Sequence, residues 1–244
     1  MAFALHHLML SPLFAAELCA AKSGPLRATV IELYTSEGCS SCPPADQWLS
    51  RLKATQAESG SVIQAFHVGY WDYIGWVDRF ASPAHTTRQR KIASLNRLTS
   101  IYTPQLVRDG RDWPDWHRVA EPNLVVAKEP SSLNIVLKAV APDQFEAMIS
   151  PANGTIGSWS AYWTVTEHGH NSKIKSGENA GELLRHDYVV RQYTPAGDYS
   201  PLTETSQKLS FRSIAATPGH LRQINLVVYD IKTGKTLQAV SASC

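Results

Sequence analysis

The chain has 244 residues, 43% hydrophobic and 18% charged, a globular composition long enough for one large domain or two small ones. Lys plus Arg number 23 against 21 Asp plus Glu, and the densest basic cluster, Arg88-Gln89-Arg90-Lys91, falls in a helical pattern. A formal net charge of +2 without a basic run excludes a nucleic-acid footprint, and the cluster reads as a solvated helix face.

Residues 1–22 hold an apolar run, Leu8-Met9-Leu10 to Leu13-Phe14-Ala15-Ala16, that ends in Cys19-Ala20-Ala21. It reads as a secretory signal segment, which would send the protein to the periplasm or outside the cell. A frayed cytosolic N-terminus is the alternative, since no Lys or Arg precedes the run and His6-His7 interrupt it. No other stretch approaches the ~20 apolar residues a spanning helix needs, so stable membrane insertion is not expected.

From residue 27 to about 123 strand and helix patterns alternate. Thr29 to Thr35 predicts a buried strand, and residues 43–57 predict an amphipathic helix with Trp48, Leu49 and Leu52 inward. Val62 to Val68 predicts a second strand, followed by an aromatic loop, Tyr70 to Trp76. In that loop and beyond it, Tyr70, Trp71, Tyr73, Trp76 and Phe80 are expected to pack or to rim a groove, with Asp72 and Asp78 at its edge or capping turns. Ser82-Pro83 is an N-cap and first helical residue for a helix through Leu98. Thr103-Pro104 leads into a short strand, 105–108, closed by the hairpin signal Asp109-Gly110. Pro114 and Pro122 argue against a long helix over residues 113–126.

Past Lys128-Glu129-Pro130 the period changes to two: Leu133, Ile135, Leu137; Trp159, Ala161, Trp163, Val165; Ile224, Leu226, Val228. Turn residues separate these runs, which suggests a sandwich or open barrel. The expected architecture is therefore an α/β unit over 23–128 followed by a smaller all-β, sandwich-like domain over 129–244. In the second half His168, His170 and His186 lack metal-ligand spacing, and Gly177-Glu178-Asn179 reads as a structured loop.

Of the four cysteines, Cys19 and Cys244 sit near the two ends and are not expected to form a framework disulfide. Cys39-Ser40-Ser41-Cys42 lies between a strand and a helix, the setting of a thioredoxin-like redox motif. The helix N-terminus favours a thiolate, with Cys39 as the solvent-reachable nucleophile and Cys42, one turn on, as the resolver. The chemistry expected is thiol–disulfide exchange with protein thiols or disulfides, with the cysteine pair itself as the only redox group. No nucleotide fingerprint is present, so electrons would come from another protein. Alternatives are an inert structural disulfide, a copper or zinc carrier using Cys39, Cys42 and His67, or a non-catalytic secreted interaction protein. His67 has its own bland alternative, a hydrogen-bonded interior histidine.

Three blocks carry a resemblance: Glu32 to Asp46 around the cysteines, Phe66 to Trp76 with Arg88-Gln89-Arg90, and Tyr102-Thr103-Pro104-Gln105. Gly177 to Gly181 and Val189-Val190-Arg191 add to it. Together they resemble a bacterial, mostly secreted thioredoxin-like family of unknown function, from which the chain departs at Gly69, where an acid is common. The resemblance implies a thioredoxin-like fold for the α/β unit and a cis Pro104 facing the cysteines, with Thr103 offering backbone hydrogen bonds to substrate. Folds of this kind also carry a buried acid behind the pair, and Glu32 is the candidate proton relay, or else an outward-facing strand residue.

Overall fold

The computed structural model describes residues 19–119 and 129–244. The apolar run of the expected signal segment, residues 1–18, and the expected domain junction at 128 lie outside the described residues. Residues 20–22, which the sequence reading put in that segment, form a strand of the fold.

The first half supplies strands β1 (Ala20–Lys22), β2 (Val30–Thr35), β3 (Val62–His67), β4 (Gln105–Arg108) and β5 (Arg111–Asp112). It also holds helices α1 (Pro43–Arg51), α2 (Lys53–Ser59) and α3 (Pro83–Leu95). The second half is strand: β6 (Leu133–Ala141), β7 (Gln144–Pro151), β8 (Trp159–Glu167), β9 (His170–Lys173) and β10 (Leu183–His186). It continues with β11 (Val189–Tyr199), β12 (Gln207–Arg212), β13 (Arg222–Asp230) and β14 (Thr236–Ser243). Local chemistry accounts for several boundaries. Ser82 accepts from the Ala84 N–H at 3.3 Å to start α3. Asp109 and Gly110, at φ 51° and 79°, make the left-handed two-residue turn between β4 and β5.

An eight-stranded sheet in the order β14-β13-β8-β11-β3-β2-β4-β5 dominates the molecule. It overturns the expected α/β thioredoxin-like domain followed by a separate, smaller all-β domain. β11 from the second half lies parallel to β3, with Val189 opposite Ala65, and β8 pairs antiparallel with β11 along its length. The two halves thus share one hydrogen-bonded sheet in which strand, not helix, predominates. The physical reason is edge satisfaction: without β11, the N–H and C=O groups of β3 on that side would be left unpaired in a buried position. That pairing spans more than 120 residues of chain, which a local periodicity cannot report.

Three apolar cores flank this sheet. Ile31, Leu33, Ile63 and Ala65 face α1 through Ala45, Trp48 and Leu49. The alternate residues Val30, Tyr34, Val62 and Phe66 point to the opposite face, which holds Ile92 of α3 and Tyr162 of β8. The third core lies between the sheet's β8-β13-β14 end and a four-stranded sheet, β1-β6-β7-β12. Trp159, Trp163, Val165, Ile224, Leu226 and Val228 fill it, so β8 is buried on both faces.

Two expectations fail here for want of long-range information. Cys19 and Cys244 form a disulfide across 225 residues, because β1 pairs with β6 and Cys19 and Ala242 border the same core. The basic cluster is a solvated face only in part: Arg90 and Lys91 are exposed, whereas the other two residues are not. Arg88 is 6% exposed and Gln89 wholly buried, because this side of α3 lies on the sheet. His85, also on α3, is 3% exposed, with its Nδ1 2.9 Å from the His67 carbonyl. Burial is the main cause that lowers its pKa, to about 4. An unfolded histidine takes its proton near pH 6.5, so the stability His85 contributes is complete above that pH and is lost as pH falls from there toward 4. Urea unfolding at pH 7 and pH 4 should show His85→Gln losing about 3 kcal/mol less than the parent over that interval.

Candidate functional site

The site is built where β2 runs into α1. Cys39 N–H donates to the Ser36 carbonyl at 3.1 Å and Cys42 N–H to the Cys39 carbonyl at 3.2 Å, a tight turn that sets the two side chains on one side. Cys42 is the N-cap of α1, and Pro43 and Pro44 occupy the first helical positions, where missing donors cost little. Cys39 and Cys42 form a disulfide with their Cα atoms 5.5 Å apart.

The expected solvent-reachable Cys39 is not observed. Cys39 is 1% exposed and Cys42 wholly buried, although Ser40 and Ser41 between them face solvent. Two segments close over the turn. Trp71 packs on Gly38, where a Cβ would lie 3.1 Å from the tryptophan Cβ, so only glycine fits without displacement. From the second half, Asn179 donates to the carbonyls of Glu37 and Cys39 at 2.8 and 3.1 Å, and Glu178 accepts from Ser40 N–H at 3.1 Å. The Gly177-Glu178-Asn179 loop is therefore a latch on the cysteine turn, a role its sequence did not signal.

The Thr103-Pro104 peptide is cis. Gln105 pairs with Tyr34, so this dipeptide lies at the end of β2 from which the cysteine turn departs. Trp71 Nε1 donates to Thr103 Oγ1 at 2.7 Å, and Trp71 thereby bridges Thr103 and Gly38. Glu32 lies elsewhere. Strand alternation turns it toward α3, away from the α1 face, where Arg88 donates to both its oxygens at 2.8 and 2.6 Å. A carboxylate held this way has no path to Cys42, so the relay expected of Glu32 is not assembled.

Nor are Cys39, Cys42 and His67 assembled as a metal set, since the sulfurs bond each other and His67 joins a different group. Beneath the cysteine turn lies a buried polar cluster of Glu37, Asp46, His67, Asp78 and His186. Asp78, expected at a rim or turn, is 3% exposed and meets His67 Nδ1 at 2.7 Å. It also accepts from Glu37 N–H at 2.9 Å. Burial raises the Asp78 carboxyl, but His67 together with the N–H groups of Glu37 and Phe80 outweighs it and the net shift is downward. Glu37 accepts from Trp76 Nε1 at 2.7 Å and stands 3.3 Å from His186 Nε2. His186 Nδ1 is 3.7 Å from Asp46. Burial opposes the charged form of His186, yet Asp46 and Glu37 together raise its pKa to about 10. Sequence spacing missed His186 because β10 reaches the cluster only through the fold. Glu37 and Asp46, two residues before Cys39 and four after Cys42, were the legible hint.

A family model described as a protein of unknown function, DUF1223, matches residues 30–229. The chain belongs to that family. Two solved structures share the fold of this family member. One is a protein of Agrobacterium tumefaciens, 21% identical, with a TM-score of 0.63 over 88% of this chain and 93% of its own. The other is HBP35 of Porphyromonas gingivalis, 11% identical, with a TM-score of 0.54 over 90% of this chain and 76% of its own. No curated protein matches the chain.

Proposed function

We propose that this protein exchanges disulfides with partner proteins through Cys39 and Cys42, and that exchange waits on release of the Glu178-Asn179 latch. The observation that carries the reading is the Cys39–Cys42 disulfide at the N-terminus of α1, with the cis Thr103-Pro104 peptide at the same end of β2. In the exchange a partner thiolate attacks Cys39 Sγ and Cys42 leaves as a thiolate, which the positive end of the α1 dipole favours. The partner's second thiolate then attacks its own sulfur in the mixed disulfide. The partner departs as a disulfide, and two electrons with two protons remain on Cys39 and Cys42. The reverse sequence oxidises the protein.

Burial of both sulfurs makes the closed form unreactive, so the rate follows the population of the open form. Deleting the two Asn179 hydrogen bonds and the Glu178 contact is worth about 1.4 kcal/mol or more, or roughly tenfold in opening. The Glu178→Ala/Asn179→Ala variant should therefore lose its Cys39–Cys42 bond to dithiothreitol about ten times faster than the parent. Cys42→Ser should accumulate mixed disulfides with cellular proteins through Cys39. No adduct with Cys42→Ser, combined with latch variants as slow as the parent, would mean that the bond is structural. An oxidising, extracytoplasmic location accompanies the reading, supported by two disulfides that leave no cysteine free.

A further inference from the structure

The buried cluster under the cysteine turn holds three residues whose outer atoms are tethered and whose inner atoms converge. Asp46 Oδ2 accepts from Thr35 Oγ1 at 2.8 Å, and Oδ1 lies 3.7 Å from His186 Nδ1. His67 Nδ1 lies 2.7 Å from Asp78 Oδ2, so Nδ1 is the nitrogen engaged by a carboxylate and Nε2 is the one left for the cluster. His186 Nε2 lies 3.3 Å from Glu37 Oε1, which leaves Nδ1 on the Asp46 side. His67 Nε2 and His186 Nδ1 are both buried without a hydrogen-bond partner. One ligand atom from each of Asp46, His67 and His186 lies within 4.8 Å of the other two.

We propose that His67 Nε2, His186 Nδ1 and an Asp46 oxygen form a binding site for a divalent metal ion of the zinc class. Two imidazoles and a carboxylate are borderline donors that suit zinc better than the oxygen-seeking magnesium or calcium. Each histidine has a carboxylate on its other nitrogen, Asp78 for His67 and Glu37 for His186, the outer pairing that orients and strengthens imidazole ligands. Ion pairing alone does not account for the arrangement. It offsets the charge on His186 but leaves His67 Nε2 buried without a partner, at a cost that buried polar groups ordinarily avoid. Metal bonds of about 2.0–2.2 Å require the three donors to draw together, with a fourth position left for water or an incoming group. The set excludes Cys39 and Cys42, so the site stands or falls independently of disulfide exchange.

The test uses the full, oxidised protein, in which both disulfides remove every thiol as a competing ligand. Chelator-treated protein is titrated with Zn(II) by calorimetry and with Co(II) by visible absorption. One ion per chain is expected, with a Co(II) spectrum free of sulfur charge transfer and a melting temperature that rises with added zinc. His186→Ala, His67→Ala and Asp46→Asn should each weaken binding at least tenfold, whereas His117→Gln, at an exposed histidine, should leave it unchanged. Should a variant fail to fold by circular dichroism, the parent titration still decides. Absence of binding by the folded parent, or binding that survives in folded His186→Ala and Asp46→Asn, overturns the site.

Discussion

Arg88→Met is expected to lower the free energy of unfolding by about 3–5 kcal/mol, the cost of leaving a buried ionic partner alone. Arg88 and Glu32 meet across α3 and the central sheet with side chains 5% and 2% exposed. Their fork is closed on every side. Tyr34 OH donates to Glu32 at 2.8 Å, Tyr162 OH donates to it at 3.2 Å, and the Arg88 guanidinium lies 3.8 Å over the Tyr162 ring. Burial works against the charge on Arg88, but Glu32 outweighs it and holds the pKa well above the usual arginine value. With Arg88 gone, Glu32 must either stay charged and buried with only two tyrosine hydroxyls to hold it, or take up a proton. Glu32→Gln/Arg88→Met removes both charges, and it should be more stable than Arg88→Met alone by 1 kcal/mol or more, roughly the size of a coupled pair. Guanidinium denaturation of the four forms measures the cycle. Strict additivity of the two single changes would show that the pair does not act as a unit.

Trp163→Ala should cost about 3–5 kcal/mol, and its effect should reach the half of the chain it does not belong to. Trp163 is 1% exposed and stacks on Phe211 at 5.0 Å with ring planes 4° apart. It sits in β8, which is hydrogen-bonded to β13 on one side and to β11 on the other. Because β11 is hydrogen-bonded to β3, which in turn pairs with β2, loss of this layer should unfold α1 and the cysteine turn in the same step. Hydrogen exchange of β2 and β13 amides in the variant should report one shared opening energy. Survival of β2 protection after β13 has opened would show two independent units and contradict the single-sheet architecture.

Several elements were legible from residue patterns alone. Alternation in Trp159 to Val165 and Ile224 to Val228 does place those side chains on one face. Ser82-Pro83 starts a helix and Asp109-Gly110 turns a hairpin, because cap and turn chemistry act over a few residues. The site was half legible. The Cys-x-x-Cys turn announces its disulfide, whereas its burial depends on Trp71, Glu178 and Asn179, which lie 32, 139 and 140 residues beyond Cys39. Glu32 misled for a related reason. Its position in an apolar strand signals burial, but which face it occupies relative to α1 follows from sheet register.

By itself the amino-acid order determined where several strands and helices begin, which side chains along them share a face, and that two cysteines can close on a helix's first turn. These outcomes depend on torsions, caps and periods that act within a few residues. Only the tertiary structure decided that β11 completes the edge of β3. It alone joined Cys19 to Cys244 and carried His186 to Asp46 and His67. Such pairings satisfy buried backbone and polar groups that no nearby residue can reach, and the partners are chosen by the whole chain's packing rather than by distance along it.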